Sequence, residues 1–155
     1  MASMKRPRLQ AVLALPEYRL ELTFIDGSRH VVSLARDIVQ LPGLSPLKNP
    51  DAFACARMIE AEGWTVEWEA YDIQIGADTL LLEALAQAAT DDNTRIFLFW
   101  RARNGLSLAD AGRALGLTPR TISAYGTGAR RVPRHIALAC KGWETEQARQ
   151  PGGRV

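Results

Sequence analysis

Residues 118–131 contain polar and basic side chains that can form hydrogen bonds, and several of them are spaced so that they would share one face of a helix. On a helix that turns about 100° per residue, with Ile122 facing inward, the opposite side carries Arg120, Ser123 and Thr127. An arginine can donate two hydrogen bonds to a guanine edge, and a serine or threonine can bind bases or phosphates. An ordinary solvated helix face is the alternative. The residues expected to contact duplex DNA are Thr118, Arg120, Thr121, Ser123, Ala124, Thr127, Arg130 and Arg131.

Two short helices joined by a tight turn are predicted to position these side chains. Small and apolar residues recur at helical spacing over residues 108–115, and Gly112 would let a second helix cross closely. Gly116 follows, where a helix can end in the left-handed conformation that glycine adopts at little cost. Thr118-Pro119 then predicts a second helix over 118–127, with Thr as N-cap and Pro at the first position. This pattern is typical of a DNA-binding helix-turn-helix.

The sequence from about Thr94 to Glu144 resembles the helix-turn-helix of the lambda-repressor-like, XRE-type family. The resemblance includes a preceding helix over 95–104 and a closing helix over 134–143. In that family the second paired helix lies in the major groove, and the basic loop after it touches phosphates. Pro119 departs from the family, in which a polar residue is common at this position. The resemblance implies base contacts by Arg120, Ser123 and Thr127, and backbone contacts by Thr118, Arg130 and Arg131.

Charge is divided unevenly along the chain. Residues 1–92 hold 8 Lys or Arg against 14 Asp or Glu, a net charge of −6, whereas residues 93–155 hold 11 against 3, a net charge of +8. Phosphate neutralisation supplies much of the affinity of nucleic-acid binders. We therefore expect the basic half to bind DNA and the acidic half, which DNA repels, to face away from it.

The composition excludes several classes of protein. Of the 155 residues, 47% are hydrophobic and 23% charged, as in an ordinary soluble globular protein. No run approaches the roughly twenty apolar residues of a membrane span, and no signal peptide is recognisable, so we expect a cytoplasmic protein with no membrane partner. Cys55 and Cys140 stand alone, and both are expected to be reduced and buried. No metal-ligand set, cofactor motif or catalytic constellation is suggested, which predicts a protein that is not an enzyme.

The first half alternates in the manner of β-strands. In residues 9–15, Leu or Ala at the odd positions alternates with Gln10, Val12 and Ala14. Residues 18–24 alternate strictly between apolar and polar side chains, which is the clearest strand signal in the chain. Asp26-Gly27 is a favoured hairpin turn, and residues 28–34 return as the partner strand. The pattern predicts an antiparallel three-stranded meander with one buried face. A short helix over 35–40 is expected to follow.

The remainder of the first half is predicted to mix loops with short strands. Three prolines and a glycine over residues 41–50 predict a loop. Residues 51–53 are expected to form a helical turn or to lead into a strand over 54–59. A returning strand is expected over 65–68, and residues 72–75 are expected to be extended or in a turn.

A helix with Asp78 as N-cap, continuing to Ala89, is predicted to end the first half. The polar segment 90–93 follows, and we place the domain boundary there. The fold class is therefore α+β, with a small antiparallel-sheet domain over 1–92 and an all-α domain over 93–155. The residues expected to face inward on this helix are Leu81, Leu82, Leu85 and Ala88.

Five consecutive apolar residues over 96–100 are interpreted as part of a helix capped by Asn93 or Thr94. A helix that is apolar on so many sides must be covered on more than one face. We expect it to pack on the paired helices and also on the first domain or on a second chain. Residues 147–155 are predicted to be disordered.

Residues 9–82 resemble the bacterial family known as domain of unknown function 2442. The turn at 16–18, the strand and turn at 24–27, the segment 49–53 and the strand at 66–68 carry the resemblance. It implies a small α+β fold and no established chemistry. In some bacterial members this domain precedes a helix-turn-helix, and others look like partners in two-gene operons resembling toxin–antitoxin pairs.

Two functions follow as hypotheses. The first is a transcriptional regulator that reads duplex DNA through the major groove with helix 118–127, binds as a homodimer and uses the acidic half to dimerise or to bind a partner. The alternative is an antitoxin-like interaction protein, whose acidic domain binds a protein partner while the helix-turn-helix autoregulates. A stable complex with a basic protein encoded beside it would favour the second.

Overall fold

The computed structural model describes residues 7–58 and 62–149. The chain divides into two compact units, Met1–Gln87 and Ala88–Val155. The division falls a few residues before the boundary expected after residue 92. The first unit combines strands with helices and the second is helical, which confirms the α+β class. Within the described residues, no helix is long and apolar enough to cross a membrane.

The predicted three-stranded meander forms in the first unit, and its strands are antiparallel neighbours in chain order. At the hairpin turn, the Asp26 carboxylate accepts a hydrogen bond from the Ser28 backbone N–H at 2.9 Å, and Gly27 has a φ of 87°. Alternate residues of the central strand are buried in the core and point away from water. The strands are Leu9–Leu15 (β1), Arg19–Phe24 (β2) and Arg29–Ser33 (β3).

The rest of the first unit contains a second small antiparallel sheet and three helices that pack on one core. The loop predicted over 41–50 is wrong, because most of it winds into a 3₁₀ helix. Pro42 starts that helix, where its missing N–H costs nothing, and the fully buried Leu47 anchors it. The elements are Ala35–Gln40 (α1), the 3₁₀ helix Pro42–Lys48, Pro50–Phe53 (α2), Arg57–Met58 (β4), Thr65–Trp68 (β5), the 3₁₀ helix Glu69–Tyr71, Ile73–Gly76 (β6) and Ala77–Ala88 (α3).

Two of these elements differ in extent from the prediction. The strand expected over 54–59 is reduced, in the part that the structure describes, to Arg57–Met58, and residue 59 lies outside that part. The reduction follows from α2, because its Pro50 and Ala52 carbonyls accept hydrogen bonds from the Ala54 and Cys55 N–H groups. The strand over 65–68 is confirmed, and the extended segment after it is β6.

Helix α3 begins before Asp78, so the prediction of Asp78 as its N-cap is wrong. The prediction of its inward face is confirmed only for Leu81, which packs against the core. Leu80 and Ala84 are the buried core residues of the helix, and Ala88 is exposed. The small side chain of Ala84 lets the helix lie close to the core. The neighbouring Glu83 and Gln87 instead reach α1 and β3.

Glu83 of α3 forms a carboxyl pair with Asp37 of α1. Burial, followed by the hydrogen bond and the charge of Asp37, raises the pKa of Glu83 from 4.5 to about 8. The folded chain therefore retains a proton that the unfolded chain releases, and the free energy of unfolding falls as pH rises from about 5 to 8. We expect Glu83→Gln to flatten this dependence and to stabilise the first unit at pH 8 by about 1–2 kcal/mol, allowing for the partial exposure of the carboxyl.

Thermal unfolding of the full chain at pH 5 and pH 8 measures this effect. Glu67→Gln, which removes a carboxylate from β5, is the matched control and should leave the difference between the two pH values in place. A Glu83→Gln chain with the same pH dependence as the parent would contradict the carboxyl pair.

The second unit is helical, and its first helix has a different cap from the one predicted. Asp91, rather than Asn93 or Thr94, caps it, because the carboxylate of Asp91 accepts hydrogen bonds from the backbone N–H groups of both residues, at 3.3 and 3.2 Å. The helices of this unit are Asp92–Arg103 (α4), Leu108–Leu115 (α5), Pro119–Thr127 (α6) and Arg134–Arg149 (α7).

Helix α7 is longer than the closing helix predicted over 134–143. The prediction of disorder from residue 147 is therefore wrong for 147–149, and residues 150–155 lie outside the described part. The extension is anchored on α4, because the Glu144 carboxylate accepts hydrogen bonds from the Arg103 guanidinium at 2.7 and 3.0 Å and from the Asn104 amide.

Aromatic side chains of α4 hold the second unit together. The apolar run over 96–100 is helical, as predicted, and Phe97 and Trp100 are fully buried. Phe97 meets Tyr125 of α6 edge to face, with ring centroids 5.3 Å apart, and Trp100 meets Trp143 of α7 at 5.6 Å. Helix α4 is therefore covered by two other helices. A contact with the first unit or with a second chain stays a prediction.

The two cysteines differ in environment. Both are free, but Cys55 is exposed, so the prediction of its burial is wrong. It lies just after α2, where its thiol donates to the Asp51 carbonyl at 3.4 Å. Cys140 is buried on α7, and burial, with a contribution from the charge of Glu144, raises the pKa of its thiol to about 12.

Candidate nucleic-acid interface

The turn between α5 and α6 is built around two glycines. Helix α5 starts at the Ser107 cap and ends at Gly116, which adopts φ 72° and ψ 32°. Gly112 is buried, and a Cβ atom added to it would lie 2.5 Å from the carbonyl oxygen of Leu117. The turn that leads into α6 therefore passes directly against α5 at position 112, and a side chain there would force the turn to shift.

The orientation of α6 follows from its cap and its two buried side chains. The Thr118 hydroxyl accepts a hydrogen bond from the Thr121 backbone N–H at 3.2 Å, and Pro119 takes the first helical position, as predicted. Ile122 and Tyr125 are buried against the rest of the unit. Since these two side chains face inward, the outward side carries Arg120, Ser123, Ala124 and Thr127.

Most hydroxyl groups in the predicted set already have local partners. The Thr118 and Thr121 hydroxyl oxygens lie 3.1 Å apart. The Thr127 hydroxyl donates to the Ala124 carbonyl at 3.3 Å and accepts from the Ala129 N–H at 3.4 Å. Within the described residues, the Ser123 hydroxyl has no hydrogen-bond partner. Ser123 and Arg120 are therefore the outward side chains on α6 with unused hydrogen-bonding groups.

A basic loop follows α6 and places two arginines beside its C-terminal end. Gly128 ends the helix at φ 82°, and the Arg130 N–H donates back to the Ala124 carbonyl at 3.1 Å. Val132 is buried and anchors the loop, whereas Arg130 and Arg131 are exposed. The backbone thus fixes the loop while leaving both guanidinium groups in water.

The arginines of the second unit fall into paired and unpaired groups. Arg95, Arg103 and Arg113 each form an ion pair with a carboxylate. In the part of the chain that the structure describes, Arg120 and Arg130 have no such partner. Arg120 and Arg130 therefore keep their full hydrogen-bonding capacity for a ligand.

Arg131 and Arg134 lie nearer to neighbouring polar groups. The Thr94 hydroxyl holds the pKa of Asp91 below its usual value, and the charge of Arg131 contributes to the same shift. Arg134 is exposed, and its guanidinium donates to the Asn93 side chain at 3.3 Å. The sequence reasoning omitted Arg134, although its position three residues after Arg131 could have indicated it. It extends the basic surface from the loop onto the start of α7.

The sequence predicts no metal site, and among residues 7–58 and 62–149 no group of His, Cys, Asp or Glu side chains could hold a metal ion. Two aspartates of the first unit lie at turns. Asp26 caps the hairpin turn, and Asp72 takes a left-handed conformation with φ 54° at the end of a 3₁₀ helix.

Comparison with known proteins identifies the first unit. The family described as a protein of unknown function, DUF2442, matches residues 9–86, and the chain belongs to this family. A crystal structure from Nitrosomonas europaea, described as that of a "Putative DNA Binding Protein", is 36% identical and has a TM-score of 0.55, covering 100% of this chain and 96% of the other. No curated protein matches the sequence. The family match ends before the second unit, whose resemblance to the lambda-repressor-like family stays a prediction.

Proposed function

We propose that this protein is a transcriptional regulator that binds duplex DNA as a homodimer, with α6 in the major groove and the loop after it on the phosphate backbone. The observation that carries the proposal is the outward face of α6. Its arginine, Arg120, is exposed and lacks a carboxylate partner among the described residues, while the buried Ile122 and Tyr125 fix the orientation of the helix. A guanidinium held in this way can donate both hydrogen bonds to one guanine.

Three further features support the proposal. Two short helices, α5 and α6, are joined by a tight turn at the left-handed Gly116, which supports the proposal of a helix-turn-helix. The basic half of the chain carries a net charge of +8 over residues 93–155. The structure from Nitrosomonas europaea, similar over the whole chain, is described as that of a "Putative DNA Binding Protein". The roles proposed by position are base contacts for Arg120 and Ser123, with Ala124 and Thr127 lining the same face, and backbone contacts for Thr118, Thr121, Arg130 and Arg131.

A role as a protein-binding, antitoxin-like protein is the second candidate. Exposed apolar side chains on the acidic first unit, such as Leu13 and Ile25, favour it. Coexpression with a basic protein encoded beside it tests this role. A stable complex that leaves DNA binding intact would show that the two roles coexist.

Selection from a pool of random duplex DNA at two salt concentrations tests the main proposal. The expected result is an enriched motif with two-fold symmetry and half-sites about one helical turn apart. Weak binding without any motif, lost at the higher salt concentration, would contradict a sequence-specific regulator.

We expect Arg130→Ala to weaken binding by a similar factor on all DNA sequences. The guanidinium of Arg130 lies in the loop after α6, so it is placed to neutralise a phosphate rather than to read a base. The slope of log K against log salt should fall by about 1. Arg36→Ala, which removes an exposed arginine from the first unit, is the matched control and should leave the slope unchanged. Equal slopes for both variants would place Arg130 outside the interface.

A further inference from the structure

Strand β3 is an edge of the meander, and its hydrogen-bonding groups alternate between two directions. Leu34 N–H donates to the Tyr18 carbonyl, and Phe24 N–H donates to the Ser28 carbonyl. Between these two pairs, every second residue of β3 bonds to β2, which fixes His30 and Val32 as bonded to β2. The backbone groups of the alternate residues, Arg29, Val31 and Ser33, therefore point away from the sheet.

The outward groups of one of these residues are already satisfied by a side chain. The amide of Gln87 accepts a hydrogen bond from the Ser33 N–H at 2.8 Å and donates to the Ser33 carbonyl at 2.9 Å. Gln87 thus bonds to the edge as a neighbouring strand residue would. It closes the C-terminal end of β3 and confirms the direction in which the alternate backbone groups point.

The other outward groups are open. In the part of the chain that the structure describes, the N–H and C=O groups of Arg29 and Val31 have no hydrogen-bond partner, and both residues are exposed. The Val31 side chain is 47% exposed, so no loop or helix covers this stretch. An uncovered edge of this kind is a template for pairing with another strand.

We propose that β3 pairs with β3 of a second copy of this chain, antiparallel and centred on His30, so that two meanders form one continuous sheet. In this register Arg29 of each copy lies opposite Val31 of the other. Each of these two pairs exchanges both of its hydrogen bonds. The pairing uses the open backbone groups of Arg29 and Val31 and ends before Ser33, whose outward groups are already bonded to Gln87.

Charge is complementary in the same register. On the outward face of the sheet, Glu21 lies beside Val31 in the β2–β3 pairing. In the joined sheet, the second copy's Arg29 follows Val31 in that cross-strand row. Across the junction, the row therefore runs from the acidic Glu21 through the apolar Val31 to the basic Arg29 of the second copy. An arginine side chain can extend over one valine to reach the carboxylate. The two-fold symmetry gives a second, identical row that starts from Glu21 of the second copy and ends at Arg29 of the first.

A second copy is favoured over an unrelated strand because the open groups are self-complementary. Arg29 and Val31 are two residues apart, so a two-fold axis at His30 places Arg29 of each copy opposite Val31 of the other. The same axis places Glu21 of each copy in one row with Arg29 of the other. The pairing involves only the first unit, so it is measured without DNA and does not depend on the proposed DNA binding. It would supply the dimer that the proposed regulator requires.

The test is the mass in solution of the full chain and of Val31→Pro. Proline lacks the N–H that points outward, and it is tolerated at an edge position whose N–H does not bond within the sheet. Sedimentation should show a dimer, twice the monomer mass of 17.1 kDa, for the parent and for Val31→Ala, the matched control that keeps the N–H. Val31→Pro should be a monomer with an unchanged circular dichroism spectrum.

Amide hydrogen exchange on the parent chain gives a test that needs no substitution. The N–H groups of Arg29 and Val31 should be protected at concentrations where the dimer forms and should exchange rapidly on dilution. A monomeric parent at about 100 µM, a concentration at which a dimer with a Kd near 1 µM would be almost complete, would overturn the proposal. So would fast exchange of both amides in a dimeric parent, or a folded Val31→Pro that remains a dimer.

Discussion

Arg120→Ala is expected to weaken binding to the selected DNA site by about 1–3 kcal/mol, roughly 5- to 150-fold in Kd. The Arg120 side chain stands on the outward face of α6, opposite the buried Ile122 and Tyr125. Removing a guanidinium that contacts one guanine should abolish discrimination at that base and leave the other positions of the motif unchanged. Fluorescence anisotropy with the selected site and single-base variants measures both effects.

Arg120→Lys separates base reading from charge. Lysine keeps the positive charge but not the planar fork that gives two hydrogen bonds. We therefore expect the lysine variant to keep the salt slope of the parent while losing part of the discrimination. If the alanine and lysine variants bind every site as the parent does, Arg120 does not read a base.

Gly112→Ala is expected to destabilise the second unit by about 1–3 kcal/mol, despite the higher helix propensity of alanine. The added methyl group would lie 2.5 Å from the Leu117 backbone carbonyl, and backbone cannot move aside as a flexible side chain can. The expected relief is a displacement of α6 relative to α5, so DNA affinity should fall as well. Thermal unfolding and the anisotropy assay measure the two effects.

Gly142→Ala is the matched control for this substitution. Gly142 also lies within a helix, but nothing lies within 4 Å of the Cβ that the substitution adds. This variant should be stabilised by about 0.5–1 kcal/mol, since alanine favours the helix. A stabilised Gly112→Ala chain would show that the Leu117 backbone does not lie against position 112.

The elements that the sequence predicts well are those whose local signals and core contacts agree. The meander combines alternating strands with an Asp-Gly turn, and the paired helices combine a left-handed Gly116 with a Thr118 cap. In each case the side chains that face the core are those that the repeat of the strand or helix places on one face. Local chemistry alone was therefore sufficient to place these elements.

The errors occur where tertiary contacts choose among local alternatives. Proline content alone favours a loop over 41–50, but the burial of Leu47 winds the segment into a 3₁₀ helix. Several residues near 91–94 can cap a helix, and only the hydrogen bonds identify Asp91. The inward face of α3 is set by contacts of Leu80 and Ala84 with the core, which the run of three consecutive leucines at 80–82 does not reveal.

The candidate site shows a similar division. The sequence correctly places Ile122 inward, and with it the outward face of α6. It does not show that the hydroxyls of Thr118, Thr121 and Thr127 have local partners, because these bonds depend on rotamers and on the turn after the helix. Nor does it indicate which arginines are neutralised by carboxylates.

The local bonding of these hydroxyls would limit how much sequence information the proposed DNA-binding face could extract from DNA. With Arg120 and Ser123 as the outward side chains on α6 that have unused hydrogen-bonding groups among the described residues, one chain would distinguish few base pairs. A motif that short recurs by chance throughout a genome. Selective occupancy of a promoter would therefore require two half-sites to be read together, and the spacing between them would matter as much as the letters within each.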